Sequence, residues 1–139
     1  MLTTAIPNLL RRGAVAVAVG RVAIGLAALA RPAVPSRPWV GAAADDLAAR
    51  VFARALGARD VALGLGALAA LRVPGTDPGQ ASTWVAAGAI SDTLDVVASL
   101  SSWRDLPPLG RWLVVGSAGG AALIGAAAAA SLRLAQPPA

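Results

Sequence analysis

Two aspartates stand three residues apart in Gly88–Ser99, GAISDTLDVVAS, a segment otherwise composed like a helix for a lipid bilayer. Residues three apart are neighbours on a helix surface, so Asp92 and Asp95 share a face. Extending that face gives Gly88, Asp92, Asp95, Ser99 and Ser102, while Ile90, Leu94 and Val97 point elsewhere. A close carboxylate pair can pass a proton, chelate Mg²⁺ for a pyrophosphate substrate, or pair with cations. Inside a membrane each such carboxylate costs roughly 3 kcal/mol on insertion scales. It therefore needs a partner, and its face must turn toward protein or a water-filled cavity rather than lipid.

Candidate partners occur at similar depth in two other apolar segments. Arg21 is central in the first, with Gly25 and Ala28 on its own face. Arg59 and Asp60 lie inside the second, where Asp60 shares a face with Gly57, Gly64 and Ala67, small residues that let helices approach closely. The set Arg21, Arg59, Asp60, Asp92, Asp95 holds two guanidiniums against three carboxylates, near neutrality once one carboxyl is protonated. As a functional element it reads as an intramembrane proton or ion relay, or a site for a polar ligand. As a structural element it reads as a buried ion network that fixes how the helices assemble.

The chain that must position these groups is short and apolar. Its 139 residues allow one domain, with 57% hydrophobic and 14% charged residues and a mean hydropathy of +0.68. Soluble domains carry about 25% charged residues, so too few remain to coat a bundle in water. The expected fold is all-α, an integral membrane bundle of four antiparallel transmembrane helices over about 13–30, 43–71, 81–102 and 110–133.

Residues 1–12 read as a short tail ending in Arg11-Arg12. The run Gly13–Ala30 has the basic flank, apolar stretch and small-x-small end of a signal peptide, but Arg21 at its centre favours a retained first span. Arg31–Trp39, with three prolines in nine residues, is expected to leave the helix. Asp45 and Asp46 suit the first turn of the second helix, at the positive end of its dipole. The early part of that helix, carrying Asp46, Arg50 and Arg54, is expected at the interface. Trp112–Leu132, uncharged between Arg111 and Arg133, is a span on length alone. Four spans put Trp39, Trp103 and Trp112 at one interface and Trp84 near the other. The arginine distribution weakly favours that first side in the cytoplasm, with both termini outside.

Lys, Glu, His, Cys and Tyr are absent. Without Cys there is no disulfide or thiolate chemistry, and without His and Cys the usual transition-metal ligands are missing. No cofactor or metal is expected. The net charge of +5 comes from arginines scattered along the chain, which suits anionic headgroups of a lipid bilayer rather than nucleic acid. The Ala/Gly/Arg/Pro bias points to a GC-rich bacterial genome, hence a multi-pass protein of the bacterial inner membrane. In the last helix Gly116-x3-Gly120 is a GxxxG pair, a candidate packing face within the bundle or between protomers of a homodimer.

Gly88-x3-Asp92-x2-Asp95, with Asp45-Asp46 and Ala49-Arg50, resembles in outline the motif of the CDP-alcohol phosphotransferases. It departs from that motif in lacking the Asp-x-x-Asp-Gly opening, in a final spacing short by one residue, and in having too few helices. A closer resemblance is carried by RALGARDVALG at Arg54–Gly64, followed by the helix bearing Trp84, Asp92 and Asp95. Over most of residues 13–130 the chain is similar to small four-helix membrane proteins of bacteria and fungi grouped as a domain of unknown function. Their Gly-x-Arg-Asp-x-x-x-Gly element corresponds to Gly57, Arg59, Asp60 and Gly64, and their third-helix aspartate to Asp92 or Asp95. That resemblance implies a fold and no activity. The leading expectation is a small membrane protein whose Arg/Asp network organises the bundle and offers a site for a polar ligand. A small proton-coupled transporter acting as a homodimer comes second, and a lipid-modifying membrane enzyme third.

Overall fold

The computed structural model of the chain describes residues 2–135. Among them the regular structure is all helical: α1 (Leu2–Ala30), α2 (Ala33–Val40), a 3-10 turn (Gly41–Asp45), α3 (Leu47–Arg72), α4 (Pro78–Ser101) and α5 (Pro108–Leu134).

Three boundaries differ from the sequence reading. The expected N-terminal tail is helical from Leu2, continuous with α1, and Pro7 lies inside it. A proline there removes one rung of the hydrogen-bond ladder near the helix end, and no other proline stands between it and Ala30. The proline-rich Arg31–Trp39 segment, expected to leave the helix, forms α2. Pro32 stands at its N-cap and Pro35 in its first turn, where amide hydrogens have no intrahelical partner to lose, and Pro38 lies inside the helix near its end, where it removes one bond. Ser36 Oγ also donates to the Pro32 carbonyl at 2.7 Å. Lastly, Asp45 and Asp46 precede α3 rather than occupy its first turn. Asp46 is the extended N-cap residue, and Asp45 ends the 3-10 turn with its carboxylate on Arg37 at 2.6 Å.

The four long helices lie side by side with antiparallel neighbours. The α1–α3 and α4–α5 pairs are the most extensive, and α1–α5 and α3–α4 contacts close the ring. Close approach of α1 and α3 depends on glycine. A Cβ on Gly57 would stand 2.7 Å from the Gly25 carbonyl oxygen, and one on Gly64 would stand 2.8 Å from that of Ala18. The same pair is fastened at both ends by arginines on terminal carbonyls, the usual way to satisfy a helix C-terminus. Arg11 Nη2 donates to the Leu71 carbonyl, and Arg54 Nε to that of Leu29 at 3.3 Å.

The interior is built from small side chains. Among the described residues, every buried hydrophobic residue apart from Leu71, Val85 and Val114 is alanine, and the buried polar residues are Arg21, Ser82, Ser91, Asp92 and Ser99. The large apolar side chains point outward on all four long helices, for example Ile24, Leu65, Ile90, Leu94, Val97 and Leu123, the last 75% exposed. Two helices, α1 over Ala5–Ala30 and α5 over Pro108–Leu134, are long and apolar enough to cross a membrane. The other two long helices, α3 and α4, carry Arg59, Asp60, Asp92 and Asp95.

Candidate functional site

Arg21 leaves α1 toward the facing surfaces of α3 and α4. Its Nη1 donates to Asp60 Oδ1 at 2.9 Å, and its Nη2 to Asp92 Oδ2 at 2.6 Å and to the Gly88 carbonyl at 3.1 Å. Gly88 stands one turn before Asp92, so the guanidinium lies along the α4 backbone with no side chain between them. A Cβ at Gly88 would meet that guanidinium at 3.5 Å.

Asp60 Oδ1 is shared. It also accepts from Arg59 Nε at 3.3 Å and Arg59 Nη2 at 3.2 Å. Adjacent residues on a helix do not face each other. Here the long guanidinium arm bends back beside its neighbour's carboxylate. Arg59 then forks onto Asp95, with Nη2 on Oδ2 at 2.9 Å and Nη1 on Oδ1 at 3.3 Å. Paired donors on a carboxylate are the geometry for which arginine is suited. The five side chains thus form one alternating chain, Asp92–Arg21–Asp60–Arg59–Asp95, running from α4 through α1 and α3 and back to α4.

Its two ends differ in surroundings. Arg21 and Asp92 are 8% and 7% exposed, whereas Arg59 and Asp95 are partly open at the α3–α4 flank. A buried pair of this kind costs desolvation that only good geometry and further hydrogen bonds offset, and losing one partner leaves a stranded charge. Beside Arg21 and Asp92 lies a cavity of ≈ 20 Å³ at the meeting of the four long helices, also bordered by Ala18, Ala67, Gly88 and Gly125. That is room for about one water.

The remaining candidates fall elsewhere. Gly57 and Gly64 sit in the α1–α3 contact, as described above. Gly116 and Gly120 face away from it, and a Cβ at either would meet nothing within 4 Å. Asp45 is committed to Arg37 on the exposed 3-10 turn. Among the described residues no group of three or more His, Cys, Asp or Glu side chains is arranged to hold a metal ion.

Two interactions escaped the sequence reading. Ser82 is fully buried between α4 and α5, donating to the Ala129 carbonyl at 2.9 Å and accepting from Arg133 Nε at 3.1 Å. At the other end of the fold Arg111 Nη1 donates to the Trp103 carbonyl at 2.8 Å and stacks over the Trp103 ring, which meets Trp112 edge-on. Ser82 lies 47 and 51 residues from its partners, and Arg111 meets Trp103 across the bend between α4 and α5; neither falls on the spacing of a single helix.

Comparison with protein-family models, curated proteins and solved structures finds no match to this chain.

Proposed function

We propose that this chain is a multi-pass membrane protein, a bundle of four antiparallel spans held at mid-depth by the Asp92–Arg21–Asp60–Arg59–Asp95 network. The single observation that carries the reading is the inverted distribution of side chains. Small and charged groups fill the interior, while Ile90 at 61% exposure and Leu123 at 75% stand outside. In water such a surface is a liability, and against acyl chains it is the expected one.

Further support comes from α1 and α5, whose span-length windows are only 28% and 22% buried within the fold. The core helix of a soluble protein is mostly buried. For α3 and α4 the mid-helix charges that lower their hydropathy, Arg59, Asp60, Asp92 and Asp95, are paired within the protein, as intramembrane charges require. Retention of α1 is favoured because Arg21 joins α3 to α4. The network offers a place for a polar ligand, and the composition favours a bacterial inner membrane. The family resemblance at Arg54–Gly64 adds a fold and no reaction.

Sided thiol labelling tests this reading, and a chain without native Cys suits it. Single variants Ser36→Cys, Thr76→Cys and Ser102→Cys in sealed vesicles should divide, with Thr76→Cys reached from one side and the other two from the opposite side. Labelling of all three from the same side, as expected if only α1 and α5 cross, contradicts four spans.

A second reading, a proton-coupled transporter acting as a homodimer, draws on the excess of carboxylates over guanidiniums in the network and on the outward Gly116/Gly120 pair. It predicts that Asp92→Asn folds nearly normally and loses pH-dependent flux in proteoliposomes. A purely structural network predicts lower stability in detergent and no transport phenotype.

A further inference from the structure

At the end of the fold that holds the α3–α4 loop, a cleft of ≈ 420 Å³ opens between α1 and α3. It is lined by Asn8, Arg11, Arg12, Val15, Leu71 and Arg72. Three guanidiniums and one amide thus converge from two helices over a floor made by an aliphatic pair. Arg11 is anchored by its bond to the Leu71 carbonyl, which also satisfies the negative end of α3. Arg12 and Arg72 make no hydrogen bond or ion pair from their side chains among the described residues.

Among the described residues no carboxylate forms an ion pair with Arg11, Arg12 or Arg72. The nearby loop carboxylate, Asp77, is the N-cap of α4 and accepts from the Gln80 amide at 3.0 Å. At the opposite end Arg37 is paired with Asp45, Arg54 with the Leu29 carbonyl and Arg111 with that of Trp103, while Arg31, Arg50 and Arg104 have no such partner among the described residues. What sets the cleft apart is that Arg11, Arg12 and Arg72 border one concavity. The cleft therefore suits a phosphodiester with an attached apolar body. The guanidiniums and Asn8 supply donors, Val15 and Leu71 an apolar floor, and Val19, one turn beyond Val15, an exposed aliphatic surface leading along α1.

We infer that the cleft formed by Asn8, Arg11, Arg12 and Arg72 binds the phosphate of one anionic phospholipid. This rests on the membrane reading above, because the occupant is a lipid of the bilayer in which the bundle sits.

The test uses the full chain in nanodiscs of phosphatidylcholine with a minority of phosphatidylglycerol, and native mass spectrometry counts the lipids retained on release. The wild type should keep one phosphatidylglycerol in preference to phosphatidylcholine. Arg12→Gln/Arg72→Gln should lower that retention roughly thirtyfold, the loss expected for two interfacial arginines. Arg31→Gln/Arg104→Gln, at the opposite end, should leave it unchanged. Equal retention in the first double variant, or equal loss in the second, overturns the site. Displacement of the lipid by millimolar inorganic phosphate overturns the lipid assignment in favour of a free-anion site. A chain that stays out of pure phosphatidylcholine bilayers overturns both the site and the membrane reading. Normal incorporation with unselective lipid retention overturns the site alone.

Discussion

Arg21 and Asp60, on α1 and α3, meet at 2.9 Å while the other terminal nitrogen of the same guanidinium holds Asp92 on α4 at 2.6 Å. One planar side chain thus joins three helices, and its two-pronged shape is what permits it. Lysine offers a single ammonium on a flexible stem and cannot span both carboxylates and the Gly88 carbonyl in the same way. Arg21→Lys should keep the charge and lose about 1–3 kcal/mol of stability, read as a lower unfolding midpoint in mixed detergent micelles. A midpoint equal to wild type means that charge alone, not the fork, holds the helices.

Gly57 and Gly64 set how closely α1 and α3 can lie. A side chain at Gly57 meets the Gly25 carbonyl at 2.7 Å and Ala28 Cβ at 2.9 Å, both on packed backbone or on a side chain with no freedom to move. Gly57→Val is expected to cost about 1–3 kcal/mol through overpacking. Because the displaced helix carries Arg21, the variant should also weaken Arg21–Asp60 contact. Double-mutant cycles between Arg21 and Asp60, run in both backgrounds, measure that coupling directly.

Gly116 and Gly120 behave oppositely. Among the described residues, nothing beyond the local turn of α5 lies within 4 Å of a Cβ at either position. Gly116→Leu and Gly120→Leu should leave the unfolding midpoint of the monomer within about 0.5 kcal/mol of wild type, as for surface changes elsewhere. If this face joins two copies, the same variants abolish a crosslinked dimer in vesicles. A dimer that survives both replacements excludes this face as the contact.

Ser82 is fully buried with one donor and one acceptor role filled. Ser82→Ala removes both, and about 1 kcal/mol of stability should go with them. The loss should be read against Ser117→Ala, whose hydroxyl bonds only to carbonyls of its own helix and lies on the exposed side. Equal effects at the two sites contradict a tie between α4 and α5 through Ser82.

How these elements could be read from the sequence depends on the range of the interaction. The all-helical class follows from composition and from apolar runs between turn signals. The faces of α4 follow in the main from local spacing, because a helix fixes which residues share a side: Gly88, Asp92 and Ser99 are buried and Asp95 half-buried while Ile90, Leu94 and Val97 are exposed. Ser102, expected on the polar face, is instead the exposed C-cap beyond the last turn. Which arginine takes which aspartate is a different matter. Arg21 and Asp92 are 71 residues apart, and their meeting depends on the relative register of α1, α3 and α4, which no single helix encodes. Ser82 and Arg133, 51 residues apart, were illegible for the same reason. At α2 the proline signal misleads: Pro32 and Pro35 stand where a helix start loses no bond and Pro38 removes one bond near its end, so three prolines in nine residues do not break this helix.

The network's role in holding the bundle together is tested most directly by removing charge in two steps. Arg21→Met strands Asp60 and Asp92 with only Arg59 nearby, and breaking a buried pair in this way costs about 3–5 kcal/mol. The triple variant Arg21→Met/Asp60→Asn/Asp92→Asn strands far less charge and should recover most of that loss. The measurement is the detergent unfolding midpoint of the two variants beside wild type. The account predicts a large drop for Arg21→Met and recovery in the triple variant; an Arg21→Met protein as stable as wild type contradicts it.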